Sequence, residues 1–173
     1  GGGVIWRPDH RGTRAANGRR ITPNWLVKVT GRFIVNIWLF SAGLASSLAA
    51  LLHLGCIAFG APWYRFFGAG EQMAQMAEGG SGVPTLITLG IFFILAIWAG
   101  YAFAAVGLIP KLPLMRVALS LITAIYLLRG IVGFLFINNP IGRAPEFWLW
   151  SSSICLAIGL LHLVGTYQNW TRI

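Results

Sequence analysis

Apolar residues fall into four long runs along the chain, at 33–59, 84–109, 117–137 and 147–167, parted by shorter polar segments. Each run reaches the roughly 20 residues that a helix needs to cross a bilayer. Within each, polar and small residues recur at helical spacing. The stripes are Asn36, Gly43, Ser46, Ala50 and His53; Ala96, Gly100 and Ala104; Ser120, Thr123, Tyr126, Arg129 and Gly133; and Ser152, Cys155, Gly159, His162 and Thr166. One stripe per helix then faces its neighbours and the rest faces lipid. The Ala96–Gly100–Ala104 ridge is where a second helix is expected to approach most closely. The pattern predicts an all-α membrane protein, an antiparallel four-transmembrane-helix bundle.

The segments between the runs are informative too. Residues 60–82 form the longest connection. In it Ala61-Pro62-Trp63-Tyr64-Arg65-Phe66-Phe67 gathers four aromatic rings around one Arg, which suits a membrane interface. The stretch from Gln72 to Glu78 predicts a two-turn helix closed by Gly79-Gly80, with Glu71 favourably placed at its positive end. Residues 1–32 are expected to be a basic tail with an interfacial lead-in, and 168–173 a second, shorter tail.

Composition removes the soluble alternatives. The chain is 57% apolar and 10% charged, against roughly 45–50% and about 25% for soluble domains. The net charge of +9 would suit nucleic acid, but its distribution does not. Seven of the thirteen basic residues (Arg7, Arg11, Arg14, Arg19, Arg20, Lys28 and Arg32) precede the first run, and none is interleaved with stacking aromatics. This is the positive-inside pattern. With Lys111, Arg116 and Arg172 it places both termini on the cytoplasmic side. No cleavable signal peptide is expected, because the first apolar run is too long and starts too late.

Arg129 is the only full charge inside the four runs. A guanidinium stays protonated, and burying it unpaired in a membrane costs from about 2.5 to above 10 kcal/mol. Glu71 is the favoured partner, because a glycine-flanked loop can fold over the helix ends; Glu146 is the rival. His53, Arg65, Glu71 and Arg129, with Tyr126 on the Arg129 stripe and Glu146 nearby, form the candidate site. It reads as a polar pocket for an anionic or amphipathic ligand or for a proton. Equally, a Glu71–Arg129 pair would simply pin the loop to the bundle. His53 and His162 differ by roughly 15–20 Å in depth on the helical rise, which argues against a bis-His haem. No cofactor is predicted, metal-ligand spacing is lacking, and Cys56 and Cys155 are expected to be free thiols.

Four short spans over 33–167, cytoplasmic termini and a chemically loaded first outer loop resemble, in architecture, the small bacterial inner-membrane proteins of the DoxX-like sort. The resemblance implies an inner-membrane accessory subunit, in some members tied to quinone or sulfur redox chemistry, and transfers no functional residue. The expected function is therefore a binding or accessory membrane protein. A lipid headgroup, a quinone, a second copy or a partner membrane subunit would be its ligand. An intramembrane, isomerase-like enzyme using His53 or Glu71 as acid–base group is the alternative, and a transporter subunit ranks third.

Overall fold

The computed structural model describes residues 36–138 and 143–173. The basic tail and lead-in expected over 1–32 lie outside them. Six helices follow in order, all without strands among the described residues. α1 (Ile37–Phe59) starts where Asn36, in extended backbone, accepts a hydrogen bond from the Leu39 amide at 3.1 Å through its side-chain oxygen, satisfying one of the free donors of the first turn. It stops at Gly60, whose φ of +67° breaks the helix while its N–H returns to the Cys56 carbonyl.

The aromatic segment expected as an interfacial loop is helical. Pro62 sits in the first turn of α2 (Ala61–Phe66), where a missing N–H does no harm. α3 (Glu71–Glu78) is the predicted two-turn helix, closed by Gly79 and Gly80. α4 (Val83–Ala105) opens with Pro84 and ends short of the expected boundary, in a turn at Gly107 with φ +81°. α5 (Met115–Leu135) and α6 (Pro145–Asn169) correspond to the third and fourth runs. The four long helices α1, α4, α5 and α6 are long and apolar enough to cross a membrane. Their arrangement is compatible with a four-helix membrane bundle.

α1 packs chiefly on α4, α5 on α6, and α1 also on α6. The closest approach is not at the expected ridge. A Cβ at Gly100 would meet nothing within 4 Å, whereas Leu95, off that ridge, is buried. Helical spacing marks a face but does not say which face a neighbour takes. One tight seam lies between α1 and α6, where a Cβ on Gly165 would fall 2.7 Å from the Leu39 amide nitrogen. Another lies between α5 and α6: a Cβ on Gly130 would fall 2.9 Å from the Leu156 amide nitrogen, and one on Gly159 would fall 3.1 Å from that of Leu127. On this seam Tyr126 meets His162, Gly130 meets Leu156 and Gly133 meets Ser152, so contacts run in opposite chain order. Outward positions such as Leu48, Leu86, Leu121 and Leu160 are apolar and exposed.

The two ends of the unit are fastened differently. At one, the Asn169 side chain donates to the Ala105 carbonyl at 2.7 Å, Lys111 donates to the Arg172 carbonyl at 2.6 Å, and Arg116 donates to the Ile173 backbone oxygen at 2.9 Å. At the other, α2 and α3 fold over the helix ends. Tyr64 Oη and Thr88 Oγ1 share a buried hydrogen bond of 3.2 Å that ties α2 to α4. Gly68, at φ +69°, rests on the Phe147 ring of α6, where any side chain would collide.

Candidate functional site

Beneath α2 lies a cavity of about 790 Å³, within the size range of small-molecule sites. Its walls are contiguous helix faces: Ala49, Leu52, His53 and Cys56 from α1, and Ile91, Leu95 and Trp98 from α4. Ile125, Tyr126 and Arg129 come from α5, and Phe147, Trp150, Ser151, Ile154, Cys155 and Ile158 from α6. Arg65 and Phe66 of α2, with Phe67 just after it, cover one end, beside Arg143 and Glu146. Rigid helices hold the lining, which favours fixed rather than induced geometry.

Five of the six sequence-predicted residues line this cavity: His53, Arg65, Tyr126, Arg129 and Glu146. Glu71 does not, and the predicted Glu71–Arg129 pair is replaced by another. Arg65 is the partner of Glu71. Its Nε and Nη2 donate to the two Glu71 oxygens at 2.9 and 2.8 Å, and Nη1 and Nη2 donate to Glu78 at 2.6 and 3.1 Å. One guanidinium thus grips two carboxylates in the forked geometry that suits it. These hydrogen bonds, more than the charge attraction itself, hold the Glu71 and Glu78 carboxyls below their usual range. The physical reason is proximity: Gly68–Gly70 turns the chain back within six residues, so the carboxylates meet Arg65 before they can reach α5.

Arg129 is left with thinner provision. Nη2 donates to Ser151 Oγ at 3.0 Å, the guanidinium carbon lies 5.2 Å from the centre of the Trp148 ring, and Nη1 is buried without a hydrogen-bond partner among the described residues. Glu146, the rival partner, sits in the first turn of α6, where the helix dipole suits it. Among the described residues it forms no ion pair with Arg129; the ion pairs present join Arg65 to Glu71 and Glu78. Arg143 lies over the Phe147 ring, 4.6 Å from its centre.

His53 Nδ1 stands 2.7 Å from the Ala49 carbonyl oxygen. A carbonyl only accepts, so Nδ1 carries the proton and Nε2 is the acceptor of the neutral ring. Tyr126 is buried, shares a 3.0 Å hydrogen bond with Ser46, and meets Trp98 edge-on at 4.9 Å. Its other face stacks on His162 at 5.6 Å. His162 is fully buried, and among the described residues neither ring nitrogen has a hydrogen-bond partner. Counted from the contact of Leu39 with Gly165, His53 stands roughly 16 Å further along the helix axes than His162. Cys56 and Cys155 are free and both line the cavity.

The sequence reading missed Arg143, Trp148 and Ser151. A signal for the α6 wall was present: Phe147, Trp150, Ser151, Ile154, Cys155 and Ile158 follow the three-four spacing of one helix face. No family model, curated protein or solved structure matches the chain.

Proposed function

We propose that the chain is a small integral membrane protein of binding or accessory type, whose cleft beneath α2 takes a lipid-class amphiphile. The four long helices form an antiparallel bundle in a bacterial inner membrane. Opposite contact order along α5 and α6 supports the antiparallel arrangement. Lys111, Arg116 and Arg172 gather at the end remote from Arg65, which supports a cytoplasmic position for that end. One observation carries the ligand reading: a cavity of about 790 Å³ has apolar walls and, at one end, His53, Arg129, Arg143 and Glu146. An apolar chain suits the walls and a polar head suits that end.

Purification in mild detergent followed by mass spectrometry of lipids and quinones tests this. A near-stoichiometric amphiphile is expected, lost when Ile154→Trp fills the cleft. Recovery of lipids in bulk-membrane proportions, unchanged by Ile154→Trp, would contradict it.

A second reading is supported by His53. With a proton on Nδ1, Nε2 is the ring nitrogen left to act as a base at the cavity wall, as an isomerase acting on a lipophilic substrate requires. Glu71, bound by Arg65 and outside the cavity, no longer serves that reading. Turnover of the co-purified amphiphile, abolished in His53→Gln with binding retained, would select the enzyme.

A further inference from the structure

The cleft has a polarity that narrows its ligand further. Arg129 cannot shed its proton; it lines the cleft beside Ser151, and among the described residues no carboxylate pairs with it. A second guanidinium, Arg143, lines the same end. The carboxylates that would balance them are placed elsewhere. Glu71 and Glu78 are both gripped by Arg65, and their surplus negative charge lies outside the lining. Only Glu146 lines the cleft, and it pairs with neither Arg129 nor Arg143 among the described residues.

A neutral head would leave this arrangement uncompensated, because an unmatched guanidinium in an apolar wall is expensive. An oxyanion resolves it. Carboxylate and phosphate oxygens accept from the planar donor fork of Arg, and such charge-assisted bonds are about twice as strong as neutral ones. Trp148, on the other side of Arg129, limits the directions in which the guanidinium can turn. At the far wall Leu95, Ile125 and Ile158 present apolar side chains that suit a hydrocarbon tail. Resting on the amphiphile reading above, we propose that the ligand is an acyl-chain oxyanion, a carboxylate or phosphate on an apolar chain, with its head on Arg129. Arg143 adds attraction at the entrance. Ser151, which also lines the cleft, is a positioning residue that holds the guanidinium through Nη2.

The test uses the full chain, delipidated in a neutral detergent. Native mass spectrometry follows titration with palmitate, hexadecyl phosphate, phosphatidic acid, hexadecanol and a ubiquinone analogue. At least one anion should bind about ten- to a hundred-fold more tightly than hexadecanol, the value of one charge-assisted hydrogen bond. Arg129→Met should bring that anion to the level of the alcohol. Preference for phosphatidic acid identifies the surrounding bilayer as the source, and preference for palmitate or hexadecyl phosphate identifies a free amphiphile. If Arg129→Met does not fold, Arg129→Lys and Arg143→Gln carry the test, with several-fold losses for anions and none for hexadecanol. Binding of hexadecanol or the quinone as tightly as the anions, unaffected at Arg129, would overturn the anion assignment and leave the amphiphile cleft standing. Binding of none of the five probes would overturn both.

Discussion

Two arginines stand at the same end of the molecule and are treated in opposite ways. Arg65 is exposed, yet receives two carboxylates and four hydrogen bonds. Arg129 is half-buried in an otherwise apolar helix, yet receives one serine and the face of one tryptophan. If pairing served stability alone, the better partners would go to the more deeply placed charge. The distribution instead assigns the acidic residues to fastening α2 to α3, and keeps Arg129 available at the cavity wall. Among the described residues the two arginines thus differ in how completely each is satisfied.

The largest expected effect breaks the setting of Arg129 without touching its charge. Gly130→Ala pushes a methyl into the Leu156 backbone on the tight α5–α6 seam, an overpacking that costs about 1–3 kcal/mol. It should also displace Arg129 from Ser151. Gly100→Ala, with open space around it, should leave thermal stability in detergent unchanged. Equal losses for the two variants would show that the seam is not where the helices close.

A smaller effect separates the two arginines directly. Stability changes of Glu71→Gln and Arg129→Met should add to within about 0.5 kcal/mol, as for residues that share no contact. Glu71→Gln and Arg65→Met should instead show a coupling that weakens with salt, since this pair is exposed. Coupling between Glu71 and Arg129 would restore the staple that the sequence suggested.

The smallest effect concerns pH. Because Arg65 lowers the Glu71 and Glu78 carboxyls, the unfolded chain binds protons more readily at these groups than the folded one does. Their stabilising contribution is complete above the ordinary carboxylate range. It is lost as pH falls through the lowered folded values. Proteolysis between α2 and α3 should therefore rise in acid, and Arg65→Met should show that susceptibility already at neutral pH. A variant with wild-type acid sensitivity would mean that the clamp does not hold α3.

The four long helices were legible because each rests on an unbroken apolar run, a signal that no local competitor can mask. Their close contacts were not. Gly100 and Gly130 sit in equally helical patterns, and only the placement of neighbours distinguishes the open position from the crowded one. α2 was hidden by Pro62 and its aromatics, which read as an interface until Gly60 turns the chain and Pro62 becomes a helix start. His53, Tyr126 and Arg129 reach the cavity from the polar stripes of two helices, and Arg65 and Glu146 join them from outside those stripes. The Glu71 pairing was not legible from the cost of the Arg129 charge, because it is decided locally: Arg65 stands six residues away across a glycine turn.

Photo-crosslinking in native membranes tests the central claim most directly. Cells are given a diazirine-bearing fatty acid, which they can also incorporate into phospholipid, and adducts are mapped by mass spectrometry. Bulk lipid reaches exposed positions such as Leu48 and Leu86, whereas Leu95 and Ile158 are buried and line the cavity. Adducts at Leu95 or Ile158 that vanish in Arg129→Met, while those at Leu48 and Leu86 persist, are the predicted result. Adducts confined to the exposed positions, with the same pattern in wild type and Arg129→Met, would contradict a ligand held in the cleft by Arg129.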